Sequence, residues 1–241
     1  MSIFLFFVVH WYLSLFFQTF FLHRYASHGM YRLNRFWERV FYLLTFLFQG
    51  SSFLHPAAYA VMHRRHHAYA DTDKDPHSPS HVSNIFEFNK KTFDEYRVIV
   101  KQFAEDKIKA NDVPRWIFME RLAEFHSVRV LFVLIYILIY YYLSAPAWSY
   151  FLIPIHVLMG PIHGFIVNWF GHSVGYRNYK EIKDKSTNSL PIDFLMMGEL
   201  YQNNHHKFPN KRNFALKWFE LDIGYILASF FQKINVIGKG R

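Results

Sequence analysis

The sequence predicts an all-α integral membrane protein with about three transmembrane helices, one re-entrant or interfacial helix and a helical cytoplasmic cap. Of its 241 residues, 52% are hydrophobic and 21% are aromatic, which is far above the usual composition of a soluble domain. Residues 2–22 contain no Lys, Arg, Asp or Glu, and neither do residues 130–176. Because a bilayer crossing needs about 20 apolar residues, the first stretch suits one span and the second suits two.

The first span is expected at about 2–22. A cleaved signal peptide is the alternative, but a basic start and a small-residue cleavage site are missing, and the stretch runs directly into HRYASH. The next two spans are expected at about 129–144 and 149–170. The uncharged turn SAPAWS lies between them.

The segment of about 36–60 is expected to be re-entrant or interfacial. Its apolar run VFYLLTFLF is soon followed by polar residues and by Pro56, which is too short for a comfortable crossing. If the His-rich stretches on either side belong to one site, this segment also cannot cross the membrane. Residues 61–128 and 171–241 then form the cap, and their Lys and Arg residues indicate the cytoplasmic side. The whole chain, 1–241, is one domain.

The composition also limits the chemistry. The sequence has no cysteine, so thiolate ligands and disulfides are excluded, and any metal must be held by nitrogen or oxygen. The net charge of +9 is spread between apolar segments without a nucleic-acid motif. An anionic membrane surface explains that charge better than a nucleic acid does.

The clearest motif is HRRHH, in which His63, His66 and His67 stand at i, i+3 and i+4. This spacing places them within about 100° on one helical face, so that two or three ring nitrogens can converge on a metal. QNNHH repeats the frame, with Gln202 in the first position and His205 and His206 after it.

Two further pairs end apolar stretches. His23 and His28 lie five residues apart, about 140° around an ideal helix, so they share a face only if the helix frays, or else they serve different metals. Asn168 and His172 stand at i and i+4 at the end of the last apolar run, where polar side chains usually need a partner.

The remaining histidines favour structural roles. His10 is expected to be interfacial or packed, and His77 and His81 are expected to order a proline-containing loop. His163 lies on the opposite side of a straight helix from His172, but Pro154, Gly160 and Pro161 can bend that helix. His163 is therefore a candidate neighbour of the ligands. For the clusters themselves the alternative is a positively charged surface patch, which would not require clusters to end or follow apolar segments.

Eight histidines and one glutamine exceed the four to six donors of one ion, so two metals are implied. Imidazole suits Zn, Cu, Fe and Ni alike, so the ligands alone do not identify the metals. An all-nitrogen site beside a lipid-depth cavity fits oxygen chemistry on an alkyl chain better than hydrolysis, which would need a water channel.

The boxes HRYASH, HRRHHAYADTDKDPHSP, NWFGH and GELYQNNHHKFP resemble those of the membrane fatty acid desaturases, in particular the acyl-CoA (stearoyl-type, delta-9) branch. In that family nine histidines hold two irons, and an asparagine contacts one iron through water. The resemblance implies a cap with a di-iron site and eight histidines as ligands and catalytic residues, with Asn168 in the water-mediated role: His23, His28, His63, His66, His67, His172, His205 and His206.

Two departures from the family pattern matter. Gln202 replaces the first histidine of the third box, as in the front-end desaturases, so an oxygen ligand or an intervening water replaces one nitrogen. The animal enzymes also have an additional span before the first box. With three crossings, the first residues of this chain are expected outside.

The resemblance implies that O2 and two electrons remove two hydrogens from adjacent methylenes of a long acyl chain, leaving a cis double bond, with position 9 as the family default. An apolar tunnel would hold the chain, lined by Phe and Tyr from the last span and from residues 40–60. The acyl carrier stays open between CoA, a lipid and acyl carrier protein. The electron donor must be a separate cytochrome or ferredoxin with its reductase, because neither CxxCH nor GxGxxG is present.

Two other functions remain as alternatives. One is a lipid hydroxylase or ketolase that uses the same histidine boxes. The other is a metal-binding membrane carrier or scaffold without catalysis, which the lack of acidic residues along the spans disfavours.

Overall fold

The computed structural model describes residues 2–240, and most of them are helical, as the sequence predicts. The helices are α1 (Ile3–Phe17), α2 (Arg35–Gln49), α3 (Pro56–Tyr69), α4 (Ile85–Ala104), α5 (Ile117–Glu124), α6 (His126–Tyr142), α7 (Ile153–Val157), α8 (Met159–Gly171), α9 (Gln202–Lys207) and α10 (Ile223–Lys233). Within residues 2–240 the only strands are β1 (Tyr31–Arg32) and β2 (Gly238–Lys239), a two-residue antiparallel pair.

The first apolar helix is longer than the sequence predicts. α1 continues without a break into a π-helical segment, Gln18–Ser27, and together they form a 25-residue helix. Among the described residues this is the one helix that is long and apolar enough by itself to cross a bilayer. Its apolar stretch therefore runs directly into the first histidine box.

Two bent helix pairs contain the other expected spans. α5 and α6 meet at 72°, and residues 147–157 meet α8 at 70°, so the count of candidate spans rises to three if each pair is one span. The span expected at about 149–170 is therefore bent, as Pro154, Gly160 and Pro161 within it allow. Pro161 has no N–H to donate to the carbonyl of Val157, and the hydroxyl of Ser51 donates to that carbonyl instead at 3.0 Å.

The segment of about 36–60 is two helices, and the second runs past the expected boundary of the cap at residue 61. α2 ends at Gln49. The next residue, Gly50, has a φ of +53°, a conformation that favours glycine. Pro56 occupies the first turn of α3, where its missing N–H costs no helical hydrogen bond. α3 then continues to Tyr69 and carries the HRRHH motif, so the motif is placed by a helix that begins among buried residues.

The cap is only partly helical. α4, α9 and α10 agree with a helical cap, but residues 172–201 contain no α-helix, so that part of the expectation is wrong. Polar side chains replace helical hydrogen bonds in this segment. The carboxylate of Asp193 alone accepts from the backbone N–H groups of Met196, Gly198 and Leu200.

The main core lies beneath this irregular segment. Aromatic residues of the first helix, such as Phe20 and Phe21, pack with Tyr42 of α2 and Tyr201 before α9. These large side chains are buried almost completely, so the first helix, α2 and the start of α9 are held together close to the histidine boxes.

Candidate metal centre

Five histidines form a first group: His23, His28, His63, His67 and His205. Their Nε2 atoms approach one another closely. The distance is 3.0 Å between His23 and His205 and 2.8 Å between His28 and His63. The Nε2 of His67 lies 3.0 Å from that of His63 and 2.9 Å from that of His205. The five rings therefore point at one common centre.

The π-helical segment explains how His23 and His28 share this group. The backbone N–H of His28 donates to the carbonyl of His23 at 3.2 Å, which is the i to i+5 hydrogen bond of a π-helix. The wider turn stacks the fifth residue above the first, and the two ring centroids lie 4.9 Å apart. Both residues belong to the first group, which favours one shared metal over the alternative that they serve different metals.

Three histidines form a second group: His66, His172 and His206. Each Nε2 atom in it is buried and has no hydrogen-bond partner among the described residues. Each Nδ1 atom faces a carboxylate, at 2.9 Å for Asp75, 2.8 Å for Asp71 and 3.0 Å for Asp184.

The motifs HRRHH and QNNHH each contribute histidines to both groups. On α3, His63 and His67 at i and i+4 face the first group, whereas His66 faces the second. On α9, His205 belongs to the first group and His206 to the second. The expected single face of HRRHH is thus shared between two neighbouring centres.

The arrangement fits two nitrogen-ligated metal ions. Imidazole nitrogens about 2.1 Å from one ion and at right angles to each other lie about 3.0 Å apart, as the Nε2 atoms of the first group do. Metal ligation needs neutral imidazole. Burial and the neighbouring imidazoles lower the pKa of His63 and His205 well below the usual value. Burial lowers the pKa of His206 to about 4, although Asp184 opposes this shift. These rings are therefore neutral at pH 7 and available as ligands.

Four carboxylates orient the histidines, and the sequence analysis did not identify them. Asp75, Asp71 and Asp184 accept from the Nδ1 atoms of the second group, and an oxygen of Glu199 lies 2.5 Å from Nδ1 of His23. Such partners fix the tautomer that leaves Nε2 free for a metal. A signal for three of them was present, since Asp71 and Asp75 lie within the box HRRHHAYADTDKDPHSP and Glu199 lies within GELYQNNHHKFP.

The electrostatics of these contacts favour ionised carboxylates. Burial raises the pKa of Asp75, but the hydrogen bond from His66 and the nearby imidazoles outweigh it and lower the pKa to about 2. The carboxylate of Asp75 also accepts from the backbone N–H of Asp71 at 2.8 Å and of His77 at 3.0 Å. The loop that follows α3 is therefore folded around His66.

Asn168 and Gln202 lie beside the histidine groups. The two side chains line one small cavity together with His23 and His63. Gln202 packs closely on α8, because a Cβ atom at Gly171 would lie only 2.4 Å from its Cγ. Both residues that the sequence indicates therefore adjoin the first histidine group.

The other histidines are placed as follows. His10 is buried as expected, but it also belongs to a hydrogen-bonded pair with His156, their Nδ1 atoms 2.6 Å apart. His81 bonds the carbonyl of Asp71, as a loop-ordering residue would. His77 is buried, and its ring centroid lies 4.5 Å from that of His66. His163 adjoins the centre through the small cavity that Asn168 and Gln202 also line.

A larger apolar cavity of about 110 Å³ reaches His63 of the first group. Tyr59 and Phe165 line it, as expected for residues 40–60 and for the last span. α4 of the cap contributes a third wall with Phe88, Phe93 and Tyr96, which the sequence did not indicate. The cavity offers an alkyl chain an apolar path to the first group.

Comparison with known proteins agrees with this site. A profile of the family described as "Fatty acid desaturase" matches residues 2–233. The "Delta-9 desaturase-like 3 protein" of Arabidopsis thaliana is 29% identical over 231 residues, which cover 90% of this chain and 70% of that protein. The "sn-1 stearoyl-lipid 9-desaturase" of Anabaena variabilis is 27% identical over 224 residues, covering 89% of this chain and 74% of that protein. The "Delta-9 acyl-lipid desaturase 1" of Arabidopsis thaliana is 27% identical over 226 residues, covering 89% of this chain and 67% of that protein.

Proposed function

Because this chain belongs to the fatty acid desaturase family and is an oxidoreductase, we propose that it introduces a cis double bond at position 9 of a long saturated acyl chain. The carrier is CoA or a membrane lipid, and two of the similar proteins are named for lipid substrates. The observation that carries the proposal is the convergence of eight imidazoles at the end of an apolar cavity.

The two histidine groups would hold two irons. Five imidazoles would serve one ion and three the other. The oxygen-bearing side chains of Asn168 and Gln202 lie beside His23 and His63 of the first group. When bound, the irons would supply the activation of O2 that the reaction needs. Two hydrogens leave the substrate, and O2 takes them up with two electrons and two protons to form two molecules of water.

The protein's own contribution is positioning and exclusion of water. The apolar walls of the 110 Å³ cavity hold adjacent methylenes beside His63, so that the reacting carbons are held in place before reaction. The carboxylate contacts of Asp71, Asp75 and Asp184 hold the ligand rings in one tautomer.

The site would face the cytoplasm in an integral membrane protein. Lys and Arg are concentrated in the segments of the cap, as the positive-inside rule requires. A separate acidic cytochrome or ferredoxin, kept reduced by its reductase, would deliver electrons to this basic face.

Expression with iron in a host that makes only saturated fatty acids tests the proposal, with the lipids analysed by gas chromatography and mass spectrometry. We expect a monounsaturated acid with its double bond at position 9. Feeding of labelled acyl-CoA and labelled phospholipid to isolated membranes distinguishes the two carriers. Hydroxylated or keto acids without alkenes would contradict the proposal and support a hydroxylase or ketolase. No conversion by the iron-loaded protein with a working electron donor would support the carrier or scaffold.

A pair of histidine variants provides the control. His67→Ala removes a member of the first group and is expected to abolish both the product and the binding of iron at that group. His126→Ala changes an exposed histidine at the start of α6, which belongs to neither group, and should behave as the wild type does. Equal activity of the two variants would argue against the site.

A further inference from the structure

We propose that His163 is a positioning residue that holds one buried water molecule against the side-chain oxygens of Asn168 and Gln202, and that this water fixes both amides beside the metal centre. This inference rests on the proposed function, because it assigns a role to a residue beside that site. It goes beyond the ligand set, since His163 belongs to neither histidine group.

His163 is an unusual buried group. Its side chain is completely buried, and neither ring nitrogen has a hydrogen-bond partner among the described residues. A neutral imidazole carries one donor and one acceptor, and an unpaired buried polar atom costs about 1–3 kcal/mol. The ring meets Trp11 edge-on, with centroids 4.4 Å apart and planes at 87°, so its orientation is fixed by packing.

The ring borders a polar cavity of the size of one water molecule. The cavity has a volume of about 20 Å³ and is also lined by Asn168, Gln202, His23 and His63. A site needs about 10–15 Å³ and two to four polar partners to hold a water. The cavity meets both conditions, and it is too small for an acyl chain or a larger ligand.

The two amides present compatible atoms. Nδ2 of Asn168 donates to the carbonyl of Gly164 at 2.7 Å, and Nε2 of Gln202 donates to the carbonyl of Glu199 at 2.6 Å. Both nitrogens are thus engaged by the main chain, which leaves each amide oxygen available as an acceptor. One water can donate to both amide oxygens and accept from the ring N–H of His163. The water would then make three hydrogen bonds.

The position of the water links it to the ligands. Asn168 lies on α8 and precedes His172, the residue that caps this helix, by four positions. Gln202 precedes His206 by four residues within α9. Residues four apart lie on the same helical face. A water shared by Asn168 and Gln202 therefore ties together the two elements that bring His172 and His206 into the second group.

The first test is an experimental structure of the full chain in detergent or nanodiscs at a resolution that shows ordered water. We expect one peak within hydrogen-bond distance of His163, Asn168 and Gln202. A dry cavity, or a direct bond from His163 to another side chain, would overturn the inference. This readout does not depend on turnover, so a water peak in a protein that forms no double bond would contradict the proposed function alone.

The second test compares His163→Phe, which keeps a flat ring without nitrogen, with His163→Gln, which keeps one donor and one acceptor. We expect His163→Phe to lower the affinity for iron by roughly 10-fold or more, as measured by metal retained against a chelator, and to lower kcat. KM for the acyl substrate should stay unchanged, because His163 does not line the 110 Å³ cavity. His163→Gln should restore metal retention.

A purely structural role would give a different result. In that case both variants would lower the unfolding temperature, and metal retention would follow stability and not the presence of a hydrogen-bonding group. Wild-type metal retention and kcat in His163→Phe would also overturn the inference.

Discussion

Nδ1 of His172 lies 2.8 Å from Oδ2 of Asp71, although the two residues are 101 positions apart in the chain. Asp71 occupies the loop that follows α3, and it adopts a φ of +60° that Asp tolerates better than most residues. The same carboxylate accepts from the backbone N–H of Lys185 at 2.7 Å. One side chain thus joins the second box, the end of α8 and the irregular cap segment.

Asp71→Ala should therefore loosen the second metal without unfolding the protein. Loss of the carboxylate frees the His172 ring to rotate or to change tautomer, and such changes typically cost 10- to 100-fold in metal affinity. The measurement is iron retained during dialysis against a chelator. Asp73→Ala, in the same loop but exposed, is the matched control and should retain iron as the wild type does. Equal losses of iron from both variants would show that any change in this loop weakens iron binding, and that the contact of Asp71 with His172 has no specific role.

Gly171→Ala should disturb the third histidine box from the opposite side. The added Cβ atom would lie 2.4 Å from Cγ and 3.1 Å from Cβ of Gln202, so α9 must shift. Overpacking of this kind costs about 1–3 kcal/mol. We expect a lower unfolding temperature and a lower iron content, whereas Ser173→Ala at an exposed position two residues later should change neither. A crystal structure of Gly171→Ala with α9 unmoved would contradict this.

Thr92→Trp should block the acyl cavity and leave the metals in place. Thr92 lines the cavity from α4, and its buried hydroxyl has no hydrogen-bond partner among residues 2–240. A larger side chain there would fill the space an alkyl chain needs, so we expect a higher KM or a preference for shorter chains at unchanged iron content. Thr92→Val is the matched control. It keeps the shape, removes the unpaired hydroxyl and should retain activity with equal or slightly higher stability. Normal KM and chain-length profile in Thr92→Trp would place the substrate elsewhere.

Tyr140→Phe should destabilise the apolar helices without affecting the metals. Nε2 of His10 donates to the carbonyl of Phe48 at 2.9 Å, so its Nδ1 accepts from Nδ1–H of His156. Nε2 of His156 must then accept from the hydroxyl of Tyr140, which lies 2.9 Å away. Removal of that hydroxyl leaves a buried acceptor unpaired, at a cost of about 1–3 kcal/mol.

The measurement for this variant is unfolding in detergent, followed by an assay of iron content. Tyr141→Phe changes a tyrosine that is 70% exposed and should leave the unfolding temperature unchanged. If Tyr140→Phe unfolds as the wild type does, the histidine pair is satisfied in some other way. If it loses iron while remaining equally stable, the pair acts on the metal centre.

Removal of metal should lower the stability of the whole chain. The first group joins the π-helical segment, α3 and α9, so an ion bound only by the folded state stabilises it in proportion to the logarithm of its concentration over Kd. We expect chelation to lower the unfolding temperature of the wild type. It should lower that of His67→Ala much less. An equal response in both would indicate that the chelator acts on the protein itself.

The sequence by itself determined the class of the protein and predicted the residues of its candidate centre. Uncharged apolar stretches can satisfy their backbone only as helices in a membrane, and i, i+3, i+4 spacing places histidines on neighbouring helical positions. Both properties depend only on residues that are close in the chain, so they can be deduced from the sequence. The same local logic indicates that Pro161 can bend the last apolar stretch, because proline has no backbone N–H to donate.

Only the tertiary structure decided how the histidines are divided and what supports them. Whether His66 joins His63 or His172 depends on which elements pack against each side of α3, and whether His28 meets His23 depends on a π-helical turn. The contact of Asp71 with His172, like the wall that α4 gives the acyl cavity, joins distant parts of the chain. Such contacts arise from packing of whole elements, and no spacing within a single element encodes them.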